Sequence, residues 1–129
     1  MKQSPYDLLG GEAGVRALVD RFYDLMDATP EYHGIRKLHP DSLAGSRDKL
    51  FMYLSGWLGG PPLYVQKFGH PFLRARHLPF AIGNNERDQW LACMREALDD
   101  AGAGVDAQFR DRLFEAFTQT ANHMRNREG

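Results

Sequence analysis

In four stretches of the chain, mainly apolar residues recur every three or four positions, which is the spacing of one face of a helix. No stretch alternates apolar and polar residues with period two, and there is no internal repeat. Spacings of three and four residues place such positions on one side of a helix. The sequence therefore predicts an all-α fold of four main helices in two packed pairs. The inner-face positions are Val15, Leu18, Val19, Phe22, Leu25 and Met26; Leu43, Ser46, Leu50, Tyr53, Leu54 and Trp57; Trp90, Cys93, Met94, Ala97 and Leu98; and Phe109, Leu113, Phe117, Ala121 and Met124.

Glycine and proline mark the helix boundaries. Gly10-Gly11 ends a short first segment, and Thr29-Pro30 ends the first main helix, because a proline pushes the preceding residue out of helical dihedrals. Residues 31–39 then form a short irregular or helical corner that ends at His39-Pro40. The run Gly59-Gly60-Pro61-Pro62 ends the second main helix.

Short polar residues predict where two helices begin. Asp41 or Ser42 is expected to cap the second main helix, and Asn84 or Asn85 the third. Between these helices lies a long connection. Residues 61–76 are expected to form a loop ending in one short helix before His77. A connection of this length inside a compact domain usually carries function.

Length and charge limit the function classes. The 129 residues predict one domain over 1–129, and 16 Lys and Arg against 17 Asp and Glu give a net charge of −1. No basic field is available for nucleic acid or an anionic membrane, so neither is an expected partner. The single cysteine, Cys93, excludes an internal disulfide. No apolar run is long enough to span a bilayer, and the N-terminus lacks the apolar core of a signal peptide. We expect a cytoplasmic protein.

His77 is the candidate site residue that the local pattern singles out. It stands between the cations Arg74 and Arg76 and the apolar Leu78 and Phe80. A ligand with an apolar plate, anionic edges and a metal centre would match this setting, and haem has all three. From the residues alone, a histidine followed by Leu-Pro is also typical of a loop or capping position, and that reading stays open.

The ordered motifs of the chain identify a family. The sequence resembles the group II truncated haemoglobins over nearly its whole length. The matching motifs are Tyr6-Asp7 with Gly10-Gly11, Arg21-Phe22-Tyr23, Leu43-Ala44-Gly45, Gly59-Gly60-Pro61, Gly69-His70-Pro71-x-Leu73-Arg74-x-Arg76-His77-x-Pro79-Phe80 and Glu86-Arg87-Asp88-x-Trp90-Leu91-x-Cys93-Met94. The resemblance implies a truncated globin-like two-over-two helical sandwich that encloses one haem b per chain.

The same resemblance assigns roles around the iron. His77 is similar to the proximal iron ligand, while Trp90 and Tyr23 match residues that stabilise the bound ligand from the distal side. His39 replaces the usual Phe or Tyr, and its imidazole could donate to the ligand or to Tyr23, or bind iron as a sixth ligand. Ser46 takes the distal position nearest the iron, which leaves an open side entrance, and Leu50 offers no polar group there. By periodicity alone, Trp90 and Tyr23 could equally be core residues.

The remaining predicted site residues hold the ring. Lys49, Tyr64 and Arg76 resemble the partners of the haem propionates, although Lys49 and Arg76 could also be solvated surface charges. The expected apolar lining draws on Phe22, Leu50, Tyr53, Leu54, Phe72, Phe80, Ile82 and Met94.

Three functions are consistent with the sequence. The first is a haem protein that binds O2, with CO, NO and peroxide as further ligands; distal hydrogen bonds would slow oxygen release and favour sequestration, sensing or redox chemistry over transport. The second is a peroxidase-like enzyme, or one that removes nitric oxide or reactive nitrogen species with an external reductase. The third is a haem-free helical interaction module, in which His77 and Trp90 are packing residues.

Overall fold

The computed structural model describes residues 4–70 and 82–125, and in this part of the chain all regular structure is helical. The predicted all-α fold is confirmed. The helices are α1 (Pro5–Leu8), α2 (Gly11–Ala28), a 3₁₀ turn (Pro30–Tyr32), α3 (His33–Arg36), α4 (Ala44–Trp57), α5 (Leu63–Phe68), α6 (Asn84–Ala101) and α7 (Ala107–Met124).

The boundaries of α2 follow the predicted glycine and proline signals. Gly10 and Gly11 adopt positive φ angles of 105° and 69°, so the chain turns sharply between α1 and α2 where a side chain would be strained. At the other end, Thr29 is extended with φ −102° and ψ 116°, as expected for the residue before a proline. The first main helix thus spans the predicted region.

The four long helices are α2, α4, α6 and α7, and the pair α2 and α6 lies at the centre of their packing. Helix α2 lies against both α4 and α6, and α6 lies against α7. Their contacts bury the predicted apolar faces of α2 and α6, because each of these helices carries a stripe of apolar residues toward its neighbours. Most predicted inner-face residues of α4 are only partly buried. Fully or nearly fully buried are Val15, Leu18, Val19, Phe22 and Met26 on α2, Cys93, Met94, Ala97 and Leu98 on α6, and Phe117 on α7.

Two predicted helix caps are wrong. The residue before α4 is Leu43, and Ser42 instead accepts the N–H of Ala44 at 3.3 Å. The residue before α6 is Gly83, whose N–H donates to Glu86 Oε1 at 2.8 Å. Asn84 is already helical, and its side-chain oxygen accepts from Arg125 Nη1 at 2.7 Å. The bond of Ser42 is thus local, whereas the side chain of Asn84 is used by a tertiary partner instead of capping α6.

The connection after α4 contains a helix earlier than predicted. Helix α5 begins directly after Pro61-Pro62 and ends at Gly69, which has a φ of 79°. The buried Ser55 anchors the turn before it, because its hydroxyl donates to the Pro61 carbonyl at 2.7 Å. The predicted helix immediately before His77 falls in residues 71–81, outside the described residues.

Charged residues cover the outer faces of the helices. Arginine–aspartate pairs join α2 to α4 and α6 to α7, for example Arg16 with Asp48 at 2.9 Å and Arg95 with Asp111 at 2.8 Å. Within the described ranges, no helix combines the length and apolar character needed to cross a membrane.

Candidate cofactor pocket

A cavity of about 460 Å³ separates α4 from α7. Helix α6 closes it on one side, and the corner around α3 together with Tyr23 of α2 closes another. At the far end, Trp57 of α4 stacks on Phe117 of α7 with ring centroids 4.9 Å apart. The volume lies within the range of pockets that hold cofactor-sized molecules.

Ten of the residues predicted for the site line this cavity. They are Tyr23, His39, Ser46, Lys49, Leu50, Tyr53, Leu54, Tyr64, Ile82 and Trp90. These residues come from four helices, the corner and one loop, so residues that are distant along the sequence meet in the folded chain.

Two predicted lining residues do not reach the cavity wall. Phe22 and Met94 are completely buried in the core. Phe22 packs edge-on against Tyr23 and Trp90, with ring centroids 5.0 and 5.3 Å away. It therefore supports two cavity residues from behind, which differs from the predicted direct contact. The predicted Phe72, Arg76, His77 and Phe80 lie outside the described residues.

Tyr23 presents a hydroxyl that has no partner among the described residues. Its side chain is 5% exposed, and its ring packs perpendicular to that of His39 with centroids 5.7 Å apart. In residues 4–70 and 82–125, no group forms a hydrogen bond with the hydroxyl. Burial raises the pKa of Tyr23, and the nearby charge of Arg47 opposes part of that rise. The phenol is thus a neutral donor available to a molecule in the cavity.

Trp90 offers a second donor on the same wall. Its indole ring lies between Phe22 and Phe117, with centroid distances of 5.3 and 5.7 Å. The part of the chain that the structure describes supplies no acceptor for the indole N–H. Trp90 is half-buried at the cavity wall, so a cavity ligand with an acceptor could take the hydrogen bond of its indole N–H.

The hydrogen bond of His39 restricts what this residue can do. Nδ1 lies 2.9 Å from the Ile35 carbonyl oxygen. Because a carbonyl only accepts, Nδ1 carries the hydrogen, and in the neutral ring Nε2 bears the lone pair. The predicted donation from His39 to a ligand through Nε2 therefore requires the protonated imidazole.

The wall formed by α4 changes from polar to apolar along the helix. Ser46 and Lys49 lie in its first half, and no carboxylate among the described residues pairs with the Lys49 ammonium. Further along, Tyr53 packs perpendicular to Tyr64 of α5, with centroids 6.3 Å apart. Burial also raises the pKa of Tyr53, so its phenol is neutral near pH 7.

The structure adds cavity residues that were not predicted for the site. Their helical periodicity already placed Trp57, Phe117, Ala121 and Met124 on inner faces, which is the signal that could have identified them. No local signal pointed to the polar ones, because Glu86 and Arg87 look like ordinary surface charges. The additions are Ile35, Leu38, Pro40, Trp57, Glu86, Arg87, Phe117, Thr120, Ala121 and Met124.

Comparison with known proteins identifies the class. Residues 4–126 match the model of the bacterial-like globin family, so the chain belongs to that family. Within it, the predicted resemblance to the group II truncated haemoglobins is confirmed, as is the two-over-two globin fold.

Three relatives illustrate the match. A cold-adapted truncated haemoglobin from the Antarctic marine bacterium Pseudoalteromonas haloplanktis is 45% identical, with 97% of this chain and 99% of that chain covered and a TM-score of 0.93. A group II 2-on-2 haemoglobin from Agrobacterium tumefaciens is also 45% identical, with coverage of 99% and 97% and a TM-score of 0.92. A group 2 truncated haemoglobin of Bacillus subtilis is 41% identical over 123 residues, which is 95% of this chain and 89% of the relative.

Members of this family are expected to bind haem, and the cavity fits that group. Its walls are mainly apolar and aromatic, as a porphyrin ring requires. The phenol of Tyr23 and the indole of Trp90 supply two donors that the described protein leaves without acceptors. The ammonium of Lys49 lies at the wall without a carboxylate partner in the same residues, where it could meet an anionic ring edge.

Proposed function

We propose that this protein binds haem b, one per chain, and takes up oxygen, carbon monoxide or nitric oxide in the cavity between α4 and α7. The observation that carries the proposal is the pair of donors on one cavity wall, the Tyr23 hydroxyl and the Trp90 indole N–H. Both donors face the cavity and have no acceptor among the described residues, so a ligand there can accept from them. Their position supports ligand stabilisation rather than a packing role.

Haem, when bound, would supply an iron atom that can take a diatomic ligand. Tyr23 and Trp90 would hold that ligand by hydrogen bonds. Bonds to a partly anionic acceptor are stronger than bonds between neutral groups, and about 1.4 kcal/mol corresponds to a tenfold change in affinity. Two such bonds are expected to slow oxygen release by more than an order of magnitude. A protein of this kind is suited to oxygen retention, sensing or redox chemistry.

The ring edge would be held by cations and tyrosines. Lys49 and Tyr64 both line the cavity, in agreement with a role at the propionates. The third predicted propionate partner, Arg76, and the predicted iron ligand, His77, lie outside the described residues and rest on the sequence motif. Ile82, five residues after His77 in the sequence, lines the cavity.

The test is visible absorption spectroscopy of the haemin-reconstituted protein, with His77→Gly beside it. We expect an intense Soret band and reversible oxygen binding in the parent protein. His77→Gly should change the iron coordination, and added imidazole should restore it. The matched control is His33→Ala, because His33 is exposed and lies away from the cavity.

Two results would contradict the proposal. A folded protein that takes up no haemin would favour the haem-free interaction module. A Soret band and ligand binding that do not change in His77→Gly would refute the proximal assignment.

The same spectra test His39. High-spin ferric spectra with five-coordinate or water-bound iron would exclude His39 as a sixth ligand.

A second candidate is a redox enzyme that acts on peroxide, nitric oxide or reactive nitrogen species with an external reductase. Tyr23 and Trp90 favour it because a wall of proton donors can assist cleavage of a peroxide bond. Trp90 also packs against Phe117, which in turn stacks on Trp57. Turnover of peroxide or nitric oxide well above that of free haem would favour the enzyme over simple binding.

A further inference from the structure

Arg47 forms a clamp between α4 and α2. Its Nη1 donates to the carbonyl oxygen of Asp20 at 3.1 Å and to Oδ1 of the same residue at 3.2 Å. Its Nη2 donates to Asp24 Oδ1 at 2.7 Å. Both terminal nitrogens of the planar guanidinium are thereby fixed, with the side chain 22% exposed. Such a fork is held in one orientation, which a lysine could not reproduce.

The clamp is centred on the distal tyrosine. Asp20, Tyr23 and Asp24 lie three and four residues apart on α2, so they share one face of the helix. The guanidinium carbon of Arg47 lies 5.9 Å from the centre of the Tyr23 ring. A cation at this distance is attracted to the face of an aromatic ring. The two aspartates therefore hold a positive charge over the phenol.

This charge affects the hydroxyl as well as the ring. A nearby cation stabilises negative charge that develops on the phenol oxygen when it donates a hydrogen bond. Burial has the opposite effect and raises the pKa of Tyr23, while the charge of Arg47 lowers it. Burial makes the Tyr23 hydroxyl a weaker donor, and the charge of Arg47 partly reverses this effect.

We propose that Arg47 is a positioning residue for Tyr23: pinned by Asp20 and Asp24, it fixes the phenol ring in the cavity wall and strengthens its hydroxyl as a donor to the ligand. This inference rests on the proposed function, because the benefit concerns a ligand held by Tyr23. It adds a residue outside the cavity lining to the set that controls ligand release.

The simpler interpretation is that Arg47 only joins two helices, and the chain contains a matched control for it. Arg16 also joins α2 to α4, through Asp48 at 2.9 Å, and its guanidinium lies 5.6 Å from the Phe51 ring centre. It also contacts Asp20 at 3.5 Å. Arg16 therefore also links the two helices through aspartates, although it is 40% exposed against 22% for Arg47, and it lies over a different ring.

The first experiment compares Arg47→Met, Arg47→Lys and Arg16→Met in the haem-reconstituted protein. We expect Arg47→Met to release oxygen about two- to tenfold faster, in line with a cation–π contact of moderate strength. The stretching frequency of bound carbon monoxide should rise in the same variant, because the hydrogen bond from Tyr23 weakens. Arg47→Lys should fall between the parent and Arg47→Met, and Arg16→Met should match the parent. Equal effects of Arg47→Met and Arg16→Met would overturn the inference.

A second experiment is independent of haem. Replacing Tyr23 by 3,5-difluorotyrosine gives a phenol that ionises at lower pH, and its ¹⁹F resonances report the ionisation. We expect Arg47→Met to raise the pKa of this phenol and Arg16→Met to leave it unchanged. An unchanged phenol pKa in Arg47→Met would refute the role of Arg47, whether or not haem binds. If haem uptake fails but the phenol pKa rises as expected, the proposed function is wrong and the Arg47–Tyr23 coupling stands.

Discussion

Two regions of the molecule are built from helices with the same apolar periodicity, yet they are packed differently. The interface between α2 and α6 is closed, and the space between α4 and α7 is open. Where α2 meets α6, side chains such as Val19, Phe22, Met94 and Leu98 are completely buried. Between α4 and α7, a cavity of about 460 Å³ remains, with Trp57 stacked on Phe117 at one end. The first region is the stabilising core, and the second is the cavity that we propose holds haem. The difference predicts that substitutions will act on stability in one region and on binding in the other.

The largest effect should come from truncating the closed interface. Leu98→Ala removes a fully buried side chain, and the cavity it leaves should lower the free energy of unfolding by about 2 to 5 kcal/mol. Leu50→Ala, on the wall of the existing cavity, should cost about 1 kcal/mol, because its side chain already faces open space. Urea unfolding of the haem-free protein measures both. Equal losses would show that the cavity wall is packed as tightly as the core.

Alkaline pH should destabilise the same interface through Cys93. Burial raises the pKa of the Cys93 thiol from its ordinary 9.0 to about 12, and its Sγ donates to the Phe22 carbonyl at 3.2 Å. Below pH 9 the thiol is protonated in both states, so its full contribution to stability is present. Between about pH 9 and 12 the unfolded thiol ionises and the folded one resists, so stability falls by up to about 4 kcal/mol. Unfolding curves of the parent and of Cys93→Ala across this range should diverge; parallel curves would argue against the assignment.

A smaller effect is expected where α4 meets the turn that follows it. Ser55→Ala removes the buried hydroxyl that donates to the Pro61 carbonyl, which should cost about 1 kcal/mol. Ser42→Ala is the control, since the exposed Ser42 only accepts from Ala44 at 3.3 Å and should cost less. Thermal unfolding midpoints compare the two. A Ser42→Ala loss as large as that of Ser55→Ala would contradict the importance of burial at this position.

The smallest effect on stability should come from the cavity donor itself. Tyr23→Phe should leave the haem-free protein as stable as the parent, or stabilise it by up to about 1 kcal/mol, because the hydroxyl has no partner among the described residues. Tyr32→Phe should instead lose stability, since its hydroxyl donates to Glu96 Oε1 at 3.4 Å. In the reconstituted protein, Tyr23→Phe should release oxygen about tenfold faster. A destabilised Tyr23→Phe with unchanged release would assign Tyr23 to the core.

The helices and much of the cavity could be predicted from local pattern and family motifs. Periodicity identified the apolar faces, Gly10-Gly11 and Thr29-Pro30 gave both ends of α2, and Gly59–Pro62 gave the end of α4. Helix caps were less predictable. The side chain of Asn84 accepts a hydrogen bond from Arg125, which is 41 residues away along the chain. Rules that consider only neighbouring residues cannot predict this partner.

What the sequence determined by itself was which positions are apolar, where helices must break and which side chains carry donors, since these depend on residue type and spacing over a few residues. Only the tertiary structure decided how those donors are used. It buried Phe22 behind Tyr23 and Trp90 rather than beside the cavity, and it fixed the tautomer of His39 through Ile35. It also brought Arg47 from α4 over a ring on α2. These contacts join elements that are distant along the chain, so their geometry depends on how whole helices pack.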